Sequence, residues 1–399
     1  MHATQVLHNH LRKRCQAIHT ARLQALMVGV RALMHGKILS VTGIGRAIQG
    51  TAFTKHAIKR ADRLIGNPAL HQDRLHIYRA LIRWLLGRLH RPVILVDWSE
   101  LTDDRQFHIL RASTPVGGRA LTLYEEVHPG KKLNTTPVQT RFLQTLNALL
   151  PANCQPIIVT DAGFHAPWFN AVMQLGWHFV GRVGGQTMIR PAGSDDWTRV
   201  ERVFDTATAK VRYLGRVDLV RRTPLRCSAY LLKRKPKGRI NKTRFGVKCQ
   251  AKHSLKNADR ERTPWLIVTS LPGGERINQQ LIQLYRSRMQ IEEAFRDTKS
   301  HRWGYALSDS RTTMAYRFEN LLLIGMLATW ATWLVGKLAQ IKRWHRRYQA
   351  NTVKTRNILS LFFLGGEVLK HATIQFTERE YQLALKAVRN DLQVTACFG

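Results

Sequence analysis

Between Arg91 and Val183 apolar runs follow one another at two different periods, and their order limits the fold more than any other feature. "PVILVDW" (Pro92–Trp98), "FHILRAS" (Phe107–Ser113) and "ALTLYEEV" (Ala120–Val127) are short and closely connected, so three successive strands are expected. Thr136-Pro137-Val138-Gln139 reads as a capping box with proline in the first turn. It opens a helix whose apolar side carries Phe142, Leu143, Leu146 and Leu150. "PIIVTDAG" (Pro156–Gly163) is nearly all apolar before its aspartate, as a strand buried on both faces should be. A helix near Pro167–Leu175 and the strand "WHFVGRV" (Trp177–Val183) complete the series.

Three strands, helix, strand, helix, strand is the order of an RNase H-like α/β fold. The expected class is therefore α/β: a mixed five-stranded sheet with helices, interrupted by an inserted β-rich subdomain, with helical regions at both ends. The interruption is Met188–Leu271, where "VRYLGRVDLV", "CSAYLLK" and "WLIVTSL" read as strands and the helix due next is delayed to about Asn278. A chain of 399 residues is too long for one ordinary domain. The expected division is 1–70, a helical domain; 71–187, the first part of the core; 188–275, the insertion; 276–335, the second part of the core; and 336–399, a C-terminal helical region.

Charge narrows the partners. Lys and Arg number 63 against 26 Asp and Glu, a net +37, and no acidic residue precedes Asp62. So one-sided a balance suits a polyanion such as DNA or RNA, or an anionic membrane surface. Near the N-terminus, "LSVTGIGRAI" (Leu39–Ile48) offers Ser40 or Thr42 as a helix cap. "TKHAIKRADRLIGN" (Thr54–Asn67) starts at a Thr cap and carries Lys55, Lys59, Arg60 and Arg63. Two short helices, the second basic, suggest a helix-turn-helix, although many surface helices share the pattern. The loop Lys233–Arg244 is a second basic stretch expected to contact DNA. Five scattered cysteines without a CxxC indicate neither zinc nor disulfides and fit a reducing cytoplasm. No apolar signal segment opens the chain. Asn320–Gly336 is uncharged but short of the ~20 residues that span a bilayer, so a buried core helix is expected and no membrane.

The chemistry resides in carboxylates. Asp97 ends the apolar run Val93–Val96, and Asp161 follows Ile157–Thr160. Singly, each reads as a turn-former after a strand. In this strand order the first and fourth strands are expected side by side, so the two aspartates face each other at one sheet edge. Close carboxylates repel unless a cation lies between them, and Mg²⁺ favours oxygen ligands shared with phosphates.

The stretch "YRSRMQIEEAFRDTK" (Tyr285–Lys299) adds a third carboxylate. On one continuous helix, Tyr285, Arg288, Glu292 and Lys299 fall within an arc of about 60°. Leu284, Ile291 and Phe295 form an apolar stripe beside it. Glu293 points roughly 100° from Glu292 and is expected solvated or paired with Arg296. The face alone reads as a surface Arg288–Glu292 pair worth ~0.3–0.5 kcal/mol; with Asp97 and Asp161 it reads as a third metal ligand flanked by phosphate-binding groups.

Tyr285, two residues, Arg288, three residues, Glu292, six residues, Lys299 resembles the YREK signature of DDE transposases of bacterial insertion sequences. "VDWS" around Asp97 and "DAGF" around Asp161 resemble the contexts of that family's two aspartates, and the likeness runs from "HAIKRADRLIGN" to "QANTVKTRNILS". The resemblance implies a two-metal cut-and-paste mechanism: Asp97, Asp161 and Glu292 hold two Mg²⁺ ions, with Mn²⁺ able to substitute, for nicking, hairpin formation and opening, and strand transfer. It implies Arg288 and Lys299 on phosphates, Tyr285 near the cleaved end, and a flipped base stacked on a tryptophan, for which Trp265 is the candidate. Trp265 also reads as a core residue of its strand; Trp98, Trp168 and Trp177 are expected in the core. Implied partners are double-stranded DNA, as terminal inverted repeats and target, and a second copy of the chain on paired ends.

Three rivals remain. A tyrosine recombinase using Tyr285 would need a dispersed Arg/His set rather than a carboxylate triad. An RNase H-like nuclease would cut without strand transfer. A non-catalytic repressor using only the N-terminal helices would leave Asp97, Asp161 and the Glu292 face unexplained.

Overall fold

The computed structural model describes residues 3–87, 89–102, 104–235, 247–251, 255, 262–371 and 374–395. Most of the basic loop Lys233–Arg244, and Cys397, lie outside the described residues. In chain order the helices and strands are α1 (Ala3–Arg14), α2 (Thr20–Gly36), α3 (Val41–Ala47), α4 (Thr54–Ile65), α5 (Pro68–Leu86), β1 (Val93–Glu100), β2 (Phe107–Val116), β3 (Arg119–Pro129) and α6 (Thr136–Leu149). Next come β4 (Ile157–Thr160), α7 (Ala166–Gln174), β5 (His178–Val183), β6 (Met188–Pro191), β7 (Thr198–Arg199), α8 (Val200–Phe204), β8 (Arg212–Leu219), β9 (Leu225–Leu232), β10 (Trp265–Thr269) and α9 (Asn278–Ser287). The chain ends with α10 (Met289–Lys299), α11 (Ala315–Ile341), α12 (His345–Tyr348), α13 (Leu361–Leu369) and α14 (Glu378–Thr395). The fold is mixed α/β with mostly antiparallel strand pairs and one parallel pair, consistent with the RNase H-like class. Two compact units divide it: residues 1–156 with 289–399, and residues 157–288.

In the first unit β1 pairs with β2 and β2 with β3, all antiparallel. Gly117 and Gly118 join β2 to β3 with φ of 56° and 82°. Positive φ at both central positions matches a two-residue turn to the strand twist, and glycine adopts it without steric cost. α11 packs on β3 and among α1, α2, α5, α13 and α14. It is long and apolar enough to cross a membrane, yet 94% of its apolar window is buried within the fold. A helix apolar all round is a core helix when other elements cover it. Its contact with α13 is close: a Cβ on Gly336 would lie 2.0 Å from Leu361 O, and one on Gly365 2.0 Å from Thr332 O. Two polar residues tie α11 to its neighbours. Asn320 donates to Ile65 O at 2.9 Å. Glu319 accepts from Val127 N–H at 3.0 Å and pairs with Arg74 at 3.0 Å.

In the second unit β4 and β5 run parallel, and β5 continues through β10, β9, β8, β6 and β7 by antiparallel pairs. The strands expected as an insertion thus lie in the same sheet as β5, with β10 directly beside it. α7 covers β5 by stacking Phe169 on Phe179, centroids 4.5 Å apart. Gly181 leaves room for that ring: a Cβ there would meet Phe169 at 2.4 Å.

Two expected caps differ. Thr136 is the first residue of α6 rather than its cap; Thr135 occupies the cap and makes no side-chain bond there, so the capping box does not form. Thr54 likewise opens α4 after Phe53, whose side chain has no acceptor to offer. Ser40 does cap α3, accepting from Gly43 N–H at 3.0 Å. Trp168 and Trp177 are buried as expected, whereas Trp98 is half-buried.

Candidate active site

In the first unit the burial of β1 falls off just after Asp97. Val93 to Val96 are buried, Asp97 is 9% exposed, Trp98 and Ser99 are half-buried and Glu100 is exposed. One Asp97 oxygen accepts from Trp98 N–H at 2.9 Å. Across the ladder its register partner is Arg111, which donates to Glu125 at 2.7 Å, both side chains nearly inaccessible. A buried guanidinium needs such a partner, because an unpaired charge in the core costs several kcal/mol by order of magnitude.

Ile291, Ala294 and Phe295 are the buried apolar positions of α10, which packs on β1, β2 and β3. The spacing i, i+3, i+4 makes one apolar stripe. Arg111 lies over the Phe295 ring, 4.5 Å from its centroid. Lys299, in the last turn of α10, donates to Ser99 Oγ at 2.7 Å and to the Glu100 carbonyl. Glu292 is exposed in the first turn. Its neighbour Glu293 pairs with Arg296 and lies 3.6 Å from Arg119. Arg119 also donates to buried Asp297 at 2.8 Å. Burial pushes the Asp297 carboxyl up to about 6 although Arg119 opposes it.

The second unit gathers a different set. Asp161 follows β4, half-buried, and its Oδ1 accepts from Gly163 N–H at 2.8 Å, an Asx-type turn. α9 packs on β4 and β5 and carries Tyr285, 4% exposed. Burial raises the phenol pKa; Arg288 and Arg182 pull it down, Asp161 pushes it up, and Arg288 also hydrogen-bonds it. Asp161, Arg182, Tyr285 and Arg288 therefore share one electrostatic neighbourhood. Trp265, half-buried, sets its ring edge-on to Tyr285, centroids 5.0 Å apart, and Arg234 stacks on it at 4.4 Å.

The stretch Tyr285–Lys299 is not one helix. α9 stops at Ser287 and α10 starts at Met289, with Arg288 between them at φ −50°, ψ −36°. Ser287 Oγ donates to Leu284 O at 2.6 Å, and Arg288 N–H bonds Tyr285 O at 3.1 Å. Tyr285 lies on α9, Glu292 and Lys299 lie on α10, and Arg288 joins the two helices with helical backbone angles. The expected pairing of Glu293 with Arg296 is present.

At the N-terminus Lys55, Lys59, Arg60 and Arg63 are all exposed on α4. Arg60 and Arg63, with Arg22 and His56, line a groove of about 570 Å³. α3 and α4 approach closely: a Cβ on Gly45 would lie 2.5 Å from Ile58 Cα.

Sequence reasoning missed Ser99, Arg119, Arg182 and Asp297. Arg182 had a signal, being the lone charge in the strand Trp177–Val183. Asp297 had none, since its burial depends on Arg119 from a distant strand.

As oxygen donors, Asp97 and Asp161 each spend one oxygen on a backbone N–H and suit a hard divalent cation. Among the described residues no three His, Cys, Asp or Glu side chains are gathered into a metal-holding group.

The family described as "Transposase DDE domain" matches residues 89–329. No curated protein matches the chain. Among solved structures it is similar to one described as a cryo-EM structure of piggyBac transposase synaptic complex with hairpin DNA, at 11% identity and a TM-score of 0.42, over 94% of this chain and 73% of that one.

Proposed function

The chain belongs to the transposase DDE-domain family, and from that premise we propose that it is an insertion-sequence transposase of the YREK subgroup, closely resembling the cut-and-paste transposase of the tetracycline-resistance composite transposon. It excises its element by nicking, hairpin formation and hairpin opening, and joins the freed 3′ ends to target DNA. The observation that carries this reading is the Lys299–Ser99 bond, which ties the helix bearing Glu292 to the strand bearing Asp97. A helix tied to a strand by a charged hydrogen bond suits catalysis that depends on holding carboxylates in place.

Asp97, Asp161 and Glu292 are the proposed carboxylates for divalent metal, Mg²⁺ in the cell with Mn²⁺ as substitute. Bound metal would stabilise charge on the attacking and leaving oxygens of phosphoryl transfer. Lys299 and Arg288 neutralise end phosphates, Arg288 with a fork suited to two oxygens. Tyr285 is 4% exposed and burial raises its phenol pKa, so it offers a hydroxyl donor. Lys55, Lys59, Arg60 and Arg63 supply exposed positive charge for terminal-repeat DNA. Residues 1–70 are the proposed end-binding domain, 71–187 and 276–335 the catalytic core around the strand-rich 188–275, and 336–399 the dimerisation region. Two copies act on paired ends in the bacterial cytoplasm.

The test is incubation with the element's own end DNA and Mg²⁺ on a denaturing gel. Nicked, hairpin and joined products are expected. Asp97→Asn should keep end binding and lose nicking; full nicking by that variant overturns the metal-site reading. Cleavage without a joined product would favour a nuclease.

A further inference from the structure

α1, α5 and α14 pack against one another in the first unit and enclose a cavity of about 420 Å³. Arg14, Arg79, Arg83 and Arg389 line it with His10 and His76, and no carboxylate does. Elsewhere in this unit inward-turned arginines meet acids: Arg22 with Asp73, Arg74 with Glu319, Arg111 with Glu125, Arg119 with Asp297. The four cavity arginines have no ion pair among the described residues. Gathering like charges around a partly closed space is unfavourable unless an anion enters it.

One detail shows an acceptor is wanting, and a second shows a guanidinium already held in place. Arg79 Nε is buried without a hydrogen-bond partner. Arg389 is anchored, donating from Nε to Trp84 O at 2.9 Å, and burial lowers its pKa. Burial, then the nearby Arg14 and Arg389 charges, also hold His10 below the ordinary histidine range. Trp84 is already stacked against His10 at 4.1 Å and Trp330 at 6.3 Å. Recognition therefore falls to guanidinium forks rather than to a slot for a nucleobase. Planar forks match phosphate oxygens in pairs, and four of them exceed the charge of a single carboxylate.

We propose that this cavity binds a compact phosphate-class polyanion, reading charge and oxygen geometry but no base. Its source is either successive phosphates of a DNA backbone or a free polyphosphate. His10 and Arg14 fall within residues 1–70, but the cavity is lined by none of the side chains named above for end binding or cleavage, and it stands whether or not the transposase reading holds.

Inorganic pyrophosphate is the probe, titrated calorimetrically into the full-length chain. Arg83 and Arg14 are exposed, so Arg83→Gln and Arg14→Gln should fold, as a circular-dichroism melt will verify. Each should weaken pyrophosphate at least tenfold, while Arg199→Gln, which removes an exposed charge on β7, should not. A parallel arm measures the salt dependence of binding to duplex DNA of unrelated sequence. If the source is DNA, the double variant lowers the log–log slope by about one to two, at ~0.9 per phosphate lost. A free polyphosphate leaves that slope unchanged while pyrophosphate affinity still falls. Equal pyrophosphate affinity in wild type, Arg83→Gln and Arg14→Gln overturns the proposal.

Discussion

Lys299 Nζ and Ser99 Oγ lie 2.7 Å apart, joining the last turn of α10 to β1 two residues beyond Asp97. The ammonium also reaches the Glu100 carbonyl, so a side chain expected to hold DNA phosphate is engaged with the protein itself. Holding α10 on the strand and meeting DNA are thus separable tasks. Ser99→Ala removes one bond and should cost about 1 kcal/mol of stability with cleavage largely kept. Lys299→Met should lower end cleavage more than tenfold. Equal cleavage loss in both variants, with matched melting curves, would sink the phosphate role.

The adjacent glutamates make a sharper comparison. Glu293 is committed to Arg296 and faces Arg119, whereas Glu292 is exposed in the first turn. Glu292→Gln should abolish nicking in a chain that still folds, as a melting curve will verify. Glu293→Gln should keep most nicking and lose at most about 1 kcal/mol of stability. Reversed outcomes would show that the assignment of the two carboxylates is inverted.

Asp297 makes a pH-dependent contribution of known sign. Its folded pKa stands near 6 against an ordinary 3.8, so the carboxyl favours the folded state below about pH 4 and that contribution is lost as pH rises through 6. At 1.36 kcal/mol per pH unit the difference is about 3 kcal/mol. Relative to wild type, Asp297→Asn should gain up to that amount between pH 4 and pH 7 in urea unfolding. A gap that stays constant over this range would contradict the burial argument.

Trp265 is wedged between Tyr285 and the Arg234 guanidinium. A flipped base must compete with Arg234 for the ring. Trp265→Ala should allow the first nick and reduce hairpin yield severalfold, since base stacking on an aromatic contributes about 1–3 kcal/mol. Arg234→Ala should leave hairpins intact or increase them. Normal hairpin yield from Trp265→Ala would move the platform elsewhere.

Much of the fold was legible because apolar period and burial agree locally. The runs that form β1 to β5, the basic helix α4 and the buried α11 each announce themselves within a dozen residues or so. The junction at Arg288 did not, since the periodicity of Leu284, Ile291 and Phe295 runs on as if the helix were unbroken. There Arg288 N–H bonds Tyr285 O, three residues back, and α9 closes. Thr54 and Thr136 each sit one residue inside their helices, where no side-chain cap bond forms.

The sequence by itself determined the charge, the order of strands and helices, and the spacing of Tyr285, Arg288, Glu292 and Lys299, all properties of neighbours along one chain. Tertiary structure decided which of those side chains are engaged by the protein. Lys299 meets Ser99, Asp297 meets Arg119, and four arginines from α1, α5 and α14 face one cavity. Those partners are distant in sequence, and burial sets each group's charge and partner only once the elements have packed.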